Sequence, residues 1–248
     1  MKLYYQSLDD ATVTYSGTAD TGYPVTNVQD RNANTLLKET TGIGLVVNYI
    51  TIDFGSAVAC DSLVLGNVLG QANFEYLLEA DDNSGFATPE TILSSKSLAT
   101  SGDYIESFTS KTYRYWRIGF LDTITTSTLS IGTVFLGTAI ELSRNPNIDE
   151  TEDFEYSSQV TEALGGGRFG FGDHDNLRQK WNYNFDYITE TDKTNMKAMA
   201  AGVYGSRRPF YFTDPAGTTH FARMMDNLTI TQIGYQAYTM SLALEQEI

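Results

Sequence analysis

The chain has 248 residues, of which 41% are hydrophobic and 12% aromatic, and its formal net charge is −15 at neutral pH. This length suits one large domain or two of ordinary size. The negative charge argues against binding to nucleic acid or to an anionic membrane. The single cysteine excludes an internal disulfide framework, and no apolar run approaches the ~20 residues that span a bilayer.

Short strands and turns fill the first part of the chain, to about Leu142. Alternation of apolar and polar residues predicts strands at Ala11 to Tyr15, Tyr49 to Phe54, Ser62 to Leu65, Phe74 to Ala80, Tyr104 to Phe108, Tyr113 to Phe120 and Ile131 to Ile140. One helical turn is expected, near Asp30 to Leu37. Many short strands separated by Gly, Asn, Asp and Ser clusters indicate a β-sandwich or barrel.

Period-two alternation predicts which side chains enter the core. Ile50, Ile52 and Phe54 share one face of their strand, and Trp116 lies on the apolar face of YRYWRIGF. Cys60, inside VACDSLVL, is expected to be a buried small hydrophobe rather than a nucleophile.

The triplet Asp53-Phe54-Gly55 spells the magnesium-binding motif of protein kinases. A kinase also needs a glycine-rich loop before this motif, a lysine on a strand between that loop and the motif, and an HRD-type catalytic loop. The only glycine-rich stretch comes more than a hundred residues later, and no HRD occurs. The triplet is therefore interpreted as the end of a strand followed by a turn.

A polar stretch with a proline, ELSRNPNIDETEDF, follows the first part and predicts a linker. The expected organisation is a domain at 1–142, a linker at 143–152 and a second domain at 153–248. Strands of the second domain are expected at Glu155 to Val160, Asn176 to Asp186, Phe210 to Thr213, Thr219 to Met225, Leu228 to Gln232 and Tyr235 to Gln246.

One helix is expected in the second domain, over TETDKTNMKAMAAGVYG. Thr189 can cap the first turn, and Asp192 completes an acidic form of the capping box. Apolar residues then recur at helical spacing, and Gly205 can end the helix in a left-handed turn. Strands around one amphipathic helix make an α+β unit, so the whole chain is predicted to be mainly β with one helix.

The glycine-rich stretch GGGRFGFG, from Gly165 to Gly172, matches a dinucleotide-binding fingerprint by letters alone. The residues after it read as a strand, whereas a dinucleotide site needs a helix there to receive the pyrophosphate. A hairpin tip is the preferred interpretation.

The first domain resembles the discoidin family, a galactose-binding-like jelly roll. The segments that carry the resemblance are YPVTNVQDRNANTLLKET, YITIDFGSAVACDSLVLGN, YRYWRIGF and SIGTVFLGTAIEL. Arg31 stands where the family usually has glycine. The resemblance implies a sandwich whose end loops hold a sugar or a protein, with Tyr23, Asn27, Asp30 and Asn32 as candidates. It also makes the last three candidates for a structural calcium; the alternative is that they form Asx turns and nothing more.

The second domain resembles phage tail-tube and distal-tail proteins. The resemblance rests on WNYNFDYIT, DKTNMKAMAAGVYG, SRRPFYFTDPAG with HFARM, and YTMSLALEQEI. It implies a virion protein of the tail tip or baseplate, assembled in the host cytoplasm. Such a protein forms a ring, hexameric by analogy with the family, around a DNA channel and docks other tail proteins. An acidic lumen would let DNA slide without sticking.

Two segments are candidates for contacts between ring subunits. The first is the loop with its flanking side chains, Gly165, Gly166, Gly167, Arg168, Phe169 and Phe171. The second is the pair Arg207 and Arg208, which could meet acids of a neighbour; a solvated surface turn is the alternative.

Catalysis, metals and cofactors find little support in the sequence. The two histidines and one cysteine lie in no paired setting, and the HEXXH and CXXC spacings are absent. Three hypotheses therefore remain. The leading one is a structural tail-tip protein that is not an enzyme, the second is a module that binds a host surface glycan, and the third is a carbohydrate-active enzyme.

Overall fold

A computed structural model describes residues 1–40, 47–69, 74–122, 128–147, 151–162 and 168–247, with the backbone alone at 151–162 and 168–177. The chain divides into two compact units. The sandwich unit is Gln6–Ala139, and the sheet–helix unit combines Met1–Tyr5 with Ile140–Ile248. The predicted fold class is confirmed, because the described residues are mainly antiparallel strands with a single α-helix.

Eight described strands and one 3₁₀ helix, Val25–Gln29, build the sandwich unit. The strands are β2 (Thr12–Tyr15), β3 (Leu37–Lys38), β4 (Asn48–Val68), β5 (Phe74–Asp81), β6 (Glu90–Ser97), β7 (Gly102–Asp122), β8 (Ser130–Ile131) and β9 (Thr133–Gly137), with the bridge of Ser7 to Phe135 beside them. The main sheet has the order β2-β4-β7-β5-β6, and β9 pairs with β4. A two-stranded sheet, β3-β8, lies near the 3₁₀ helix.

The core of the sandwich unit follows the predicted alternation. Ile50, Ile52, Cys60 and Trp116 are completely buried, as expected from the sequence. Phe54 is only partly buried and packs at the margin of the core. Burial raises the pKa of the Cys60 thiol to about 12, with a smaller effect of the neighbouring Asp61, so this thiol stays protonated at neutral pH.

Several predicted strand boundaries in the sandwich unit were wrong. The strands expected at Tyr49 to Phe54 and Ser62 to Leu65 form one strand, β4, and those expected at Tyr104 to Phe108 and Tyr113 to Phe120 form one strand, β7. Strands β4 and β7 remain paired on both sides of Gly55, which has a positive φ, and shifts in register accommodate the extra residues of β4. The single strand expected at Ile131 to Ile140 is instead three short pieces. The sequence analysis also missed β3 and β6.

The helical turn expected near Asp30 to Leu37 was wrong as well. The structure has its 3₁₀ helix at Val25–Gln29, directly after Pro24, whose fixed φ suits a helix start. Downstream, side chains of Asp30 and Asn32 bind backbone N–H groups two residues on, which favours turns over helix.

The sheet–helix unit is one large sheet with one helix. Its elements are β1 (Lys2–Tyr4), β10 (Ile140–Glu141), β11 (Thr151–Glu162), β12 (Arg168–Thr189), α1 (Glu190–Gly202), β13 (Phe210–Thr213), β14 (Thr219–Met224), β15 (Thr229–Gly234) and β16 (Ala237–Gln246). The sheet order is β10-β1-β13-β14-β16-β12-β11, and β15 pairs with β16. The first strand of the chain thus belongs to this unit rather than to the sandwich, because it pairs with β10 and β13.

Helix α1 begins as predicted. Thr189 is the N-cap, and the capping box with Asp192 is complete. The helix ends at Gly202, and both Tyr204 and Gly205 then adopt positive φ. Met196, Met199 and Val203 are buried, among the apolar positions that the helical spacing had marked. The described helices include none that is long and apolar enough to cross a membrane.

Two paired strands flank the glycine-rich stretch, and the predicted hairpin tip at Gly165 to Gly167 lies outside the described residues. Strands β11 and β12 pair antiparallel up to Glu162 and Arg168. A strand and not a helix follows the stretch, so no helix N-terminus is available there for a pyrophosphate.

Candidate functional site

The loops that join β2, the 3₁₀ helix and β3 carry the predicted sugar-binding candidates. Tyr23 ends a tight turn in which its N–H donates to Asp20 O at 3.0 Å. Tyr23 is 40% exposed, and the Lys38 ammonium lies over its ring, 5.7 Å from the ring centroid. The Lys38 N–H also donates to Tyr23 O, which holds the two residues side by side. The structure thus presents an accessible aromatic ring next to a cation.

The other candidates lie in the turn that follows the 3₁₀ helix. The Asp30 carboxylate accepts the N–H of Asn32 at 2.8 Å and the hydroxyl of Thr35. The Asn32 side chain accepts the N–H of Asn34 at 3.0 Å. Asp30, Asn32 and Asn34 remain exposed to solvent although their conformations are fixed. These bonds match the Asx-turn alternative of the sequence analysis.

Asn27 has a structural task. Its side-chain amide donates to Leu36 O at 2.7 Å and so ties the 3₁₀ helix to the segment that enters β3. This bond links the Tyr23–Lys38 pair to the Asx turns. We call Tyr23, Asp30, Asn32, Asn34 and Lys38 the first-loop surface.

Arg31 occupies the position at which the resemblance noted above leads us to expect glycine. Its φ is 57°, in the left-handed region that glycine favours. Its side chain is buried, forms an ion pair with Asp9 at 2.9 Å, donates to Ser7 Oγ and lies 5.5 Å from the Phe135 ring. These contacts offset the conformational free energy that a positive φ costs a residue other than glycine. They also hold the loop of the first-loop surface against the core of the sandwich unit.

Two supporting contacts of the loop were not found by sequence reasoning. The Asn67 amide donates to Ala33 O at 2.6 Å, and its own N–H donates to Asp103 Oδ1 at 2.8 Å. Gly132 lies so close to the loop that a Cβ there would be 2.4 Å from Ala33 O. The glycine between two short strands was the only local signal, since Asn67 and Ala33 are far apart in sequence.

Asp53 is a structural residue in the sandwich unit. Both its carboxylate oxygens accept from the Arg114 guanidinium, at 2.8 and 3.0 Å, and Oδ1 also accepts the Gly55 N–H. The bonds from Arg114 are the main reason that the pKa of Asp53 is lowered. Within the described part of the chain, no group of three or more His, Cys, Asp or Glu side chains is placed to hold a metal ion.

The structure describes the assembly candidates of the second unit only in part. Gly165, Gly166 and Gly167 lie outside the described residues. Strand β12 contains Arg168, Phe169 and Phe171. Only the backbone of these residues is described.

Arg207 and Arg208 follow helix α1 in a turn. The Arg208 guanidinium lies over the ring of Tyr204, 4.5 Å from the ring centroid. The backbone N–H of Arg208 donates to Val203 O and closes the turn. Arg207 is exposed. The turn therefore forms a cation–aromatic surface beside the helix end.

Two clefts accompany these features. A cleft of about 250 Å³ in the sandwich unit is lined by Gln6, Ser7, Asp10, Ala11, Phe54, Val58 and Leu136. A groove of about 400 Å³ in the sheet–helix unit is lined by Lys197, Ala200, Gly205, Asn227, Leu228 and Ile230. The groove separates helix α1 from the start of β15.

Comparison with solved structures gives matches to carbohydrate-binding modules. Chitosan-binding module 1 from a chitosanase/glucanase of Paenibacillus sp. IK-5 is 19% identical, covers 53% of this chain and 98% of its own, and has a TM-score of 0.46. The family 32 carbohydrate-binding module of NanJ from Clostridium perfringens, solved with galactose, is 12% identical, with coverages of 56% and 100% and a TM-score of 0.45.

A third match is CpGH89CBM32-5 from Clostridium perfringens, solved with GalNAc-β-1,3-galactose. It is 13% identical, with coverages of 53% and 97% and a TM-score of 0.44. At these scores the likenesses carry no argument about function. No family model and no curated protein matches the chain. Nothing in these comparisons bears on the resemblance of the second unit to phage tail proteins.

Proposed function

We propose that the sandwich unit is a carbohydrate-binding module that holds a glycan on the first-loop surface. The observation that carries this proposal is the exposed Tyr23 ring, fixed beside the Lys38 ammonium. A sugar ring presents apolar C–H groups that stack on an aromatic face, while its hydroxyls need charged or polar partners. Lys38 donates to such hydroxyls or to an acidic substituent.

The neighbouring turn supplies preorganised polar groups. Asp30, Asn32 and Asn34 are exposed. Hydrogen bonds of the Asx turns hold the side chains of Asp30 and Asn32, and they hold Asn34 through its backbone N–H. Groups that are fixed before binding lose less conformational entropy when a ligand arrives. The Asp9–Arg31 ion pair and the Asn67 amide keep the loop in place from the side of the core. The surface therefore combines a stacking platform with fixed acceptors, and the proposal assigns it no catalytic step.

A glycan array followed by calorimetry on the full chain tests the proposal. Chitosan fragments, galactose and GalNAc-β-1,3-galactose are the first ligands to include, because the modules compared above are named for chitosan or were solved with one of the two other sugars. We expect Tyr23→Ala to weaken binding at least about tenfold, which equals ~1.4 kcal/mol. Tyr204→Ala, at an exposed tyrosine of the other unit, is the matched control and should bind as the parent does.

Absence of any glycan ligand, or unchanged affinity in Tyr23→Ala, would contradict the proposal. Turnover of a polysaccharide would instead support the enzyme hypothesis.

A structural role in a phage tail tip is the second candidate. The exposed apolar residues of the sheet–helix unit favour it, since Tyr204, Met225, Ile233 and Tyr235 all lie at the surface. In this role the chain would assemble in the host cytoplasm into a ring that surrounds the DNA channel and docks other tail proteins. A net charge of −15 suits the passage of DNA without tight binding. Localisation of the labelled protein on phage particles by electron microscopy tests this role.

A further inference from the structure

The cleft of the sandwich unit combines an apolar lining with a single carboxylate. Leu136 in this lining is almost completely buried, whereas Phe54 and Val58 are only partly covered and pack against the core. Asp10 is the one charged side chain among the described residues that line the cleft. The volume of about 250 Å³ lies just below the ~300–1,000 Å³ of pockets that hold drug-sized ligands. The cleft therefore suits a small ligand that has an apolar part and a polar part.

Asp10 differs from its neighbour Asp9 in having no partner. Asp9 is half-buried and forms the ion pair with Arg31, which also donates to Ser7 Oγ at 2.9 Å. Asp10 is exposed, and its carboxylate forms no hydrogen bond or ion pair with the described residues. Both of its oxygens are therefore available to accept hydrogen bonds from a ligand.

The turn that carries Asp10 is fixed by hydrogen bonds at both of its ends. The N–H of Ala11 donates to Leu8 O at 3.0 Å and closes the turn. The side-chain amide of Gln29 donates to Leu8 O at 2.7 Å and to Ala11 O at 2.9 Å. A group whose backbone is fixed before binding loses less conformational entropy when a ligand arrives. Asp10 is thus a preorganised acceptor at the cleft.

Charge decides which kind of ligand the cleft favours. A chain with a net charge of −15 attracts cations and repels anions, and the Asp10 carboxylate acts in the same sense. A metal ion such as Ca²⁺ takes about 6–8 oxygen ligands. The described residues hold no group of three or more His, Cys, Asp or Glu side chains that could bind one. An organic ammonium group needs fewer acceptors, and the body that carries it can pack on apolar surface.

We propose that the cleft binds a small organic ammonium ion. The ammonium group donates to the Asp10 carboxylate, and the apolar body of the ligand packs against Phe54, Val58 and Leu136. Removal of apolar surface from water supplies most of the affinity, while the ion pair selects a cation over a neutral molecule. The cleft shares no lining residue with the first-loop surface, so this second site is independent of glycan binding.

Two matched ligands test the proposal on the full chain. Phenethylammonium and phenethyl alcohol have the same apolar body and differ in the charged group. In NMR titrations of the isotope-labelled protein, we expect phenethylammonium to shift the backbone amides of Asp10, Ala11 and Val58 saturably. It should bind at least about threefold more tightly than the alcohol, which is the range of an exposed ion pair. Equal affinities would overturn the ammonium assignment, and no saturable shift up to about 20 mM ligand would overturn the site.

Three variants show where the ligand binds. Asp10→Asn keeps the size of the side chain and should weaken phenethylammonium binding at least about threefold, with phenethyl alcohol unaffected. Asp82→Asn is the matched control, because Asp82 is an exposed aspartate of the same unit outside the cleft, and asparagine keeps the oxygen that accepts the Arg114 N–H. This control and Tyr23→Ala should both bind phenethylammonium as the parent does.

Unchanged affinity in Asp10→Asn would overturn the proposal. An equal loss in Asp82→Asn would attribute binding to the overall charge of the chain, and a loss in Tyr23→Ala would place the ligand on the first-loop surface. Either result would also overturn the cleft as the site. Glycan binding that fails while phenethylammonium still binds at Asp10 would overturn the proposed function alone.

Discussion

The two units bury their apolar surface in different ways. In the sandwich unit, buried side chains from β4, β5, β7 and β9 meet in one cluster around Trp116, and the candidate ligand residues lie on loops outside it. In the sheet–helix unit a single helix covers part of a large sheet, and strand β15 keeps almost all its residues exposed. The comparison teaches that a closed core frees its loops for small ligands, whereas an uncovered edge suits a macromolecular contact.

The largest effect is expected from the aromatic core of each unit. Trp116→Ala should destabilise the sandwich unit by about 3–5 kcal/mol, because the ring is completely buried and its Nε1 donates to Tyr113 O. Trp181→Ala should act to a similar extent on the other unit, where the ring packs against Phe212 with centroids 5.1 Å apart. Hydrogen–deuterium exchange on the full chain assigns each loss to its unit. A loss below about 1 kcal/mol for Trp116→Ala would show that the core assignment is wrong.

The next effect concerns the anchor of the first-loop surface. Arg31→Ala should destabilise the sandwich unit by about 2–3 kcal/mol, since it leaves the half-buried Asp9 carboxylate without its ion pair. Arg31→Gly loses the same pair but relieves the positive φ, so it should be more stable than Arg31→Ala by about 1 kcal/mol. Urea unfolding measures both. Equal stability of the two variants would argue against a backbone cost at this position.

A smaller effect is expected at the helix start of the other unit. The Asp192 carboxylate accepts from the N–H and hydroxyl groups of both Thr189 and Ser143. Burial acts to raise the pKa of Asp192, but these hydrogen bonds outweigh it and leave the pKa below its ordinary value. Asp192→Ala should therefore reduce stability by about 1–2 kcal/mol at neutral pH.

The pH dependence of that effect has a definite sign. A carboxylate with a lowered folded-state pKa stabilises the protein above its unfolded pKa, and this contribution is lost as the pH falls through the folded value. The difference between the parent and Asp192→Ala should thus shrink toward acid pH. Asp226→Ala, at an exposed acid of the same unit, is the control and should show little change.

The smallest effect is expected at Glu39 of the sandwich unit, and its sign is opposite. Glu39 is buried, and its Oε2 and the hydroxyl of Tyr15 have no hydrogen-bond partner within the described residues. Burial raises the pKa of Glu39, so its contribution to stability is fully present below the unfolded pKa and is lost as the pH rises through the folded value. Glu39→Gln should therefore stabilise the unit by about 1 kcal/mol at pH 7 and have little effect near pH 4. Thermal unfolding at both pH values measures it, and a destabilised variant at pH 7 would contradict the assignment.

The sequence predicted those features that depend on short-range patterns. Period-two alternation found the buried residues of β4 and β7, and the capping box located the start of α1. It did not predict that β4 and β7 stay continuous across the bend, because continuity is decided by the pairing of residues far apart in the chain. The same reason hid β1, which becomes a strand only by pairing with β10 and β13.

The candidate site shows the same division. Asp30 and Asn32 were found from the sequence because Asx turns are local. Lys38, Asn67 and Asp103 were missed, because a cation beside Tyr23 and a support beneath Ala33 depend on contacts across the fold.

By itself, the sequence determined the mainly β class, the single capped helix and the residues of the first loop, since each depends on neighbours in the chain. Only the tertiary structure decided that Arg31 is buried on Asp9, that Tyr23 stands exposed beside Lys38 and that β15 lacks a second described neighbour. The physical reason is that burial, ion pairing and strand pairing are properties of the packed chain, which no local pattern encodes.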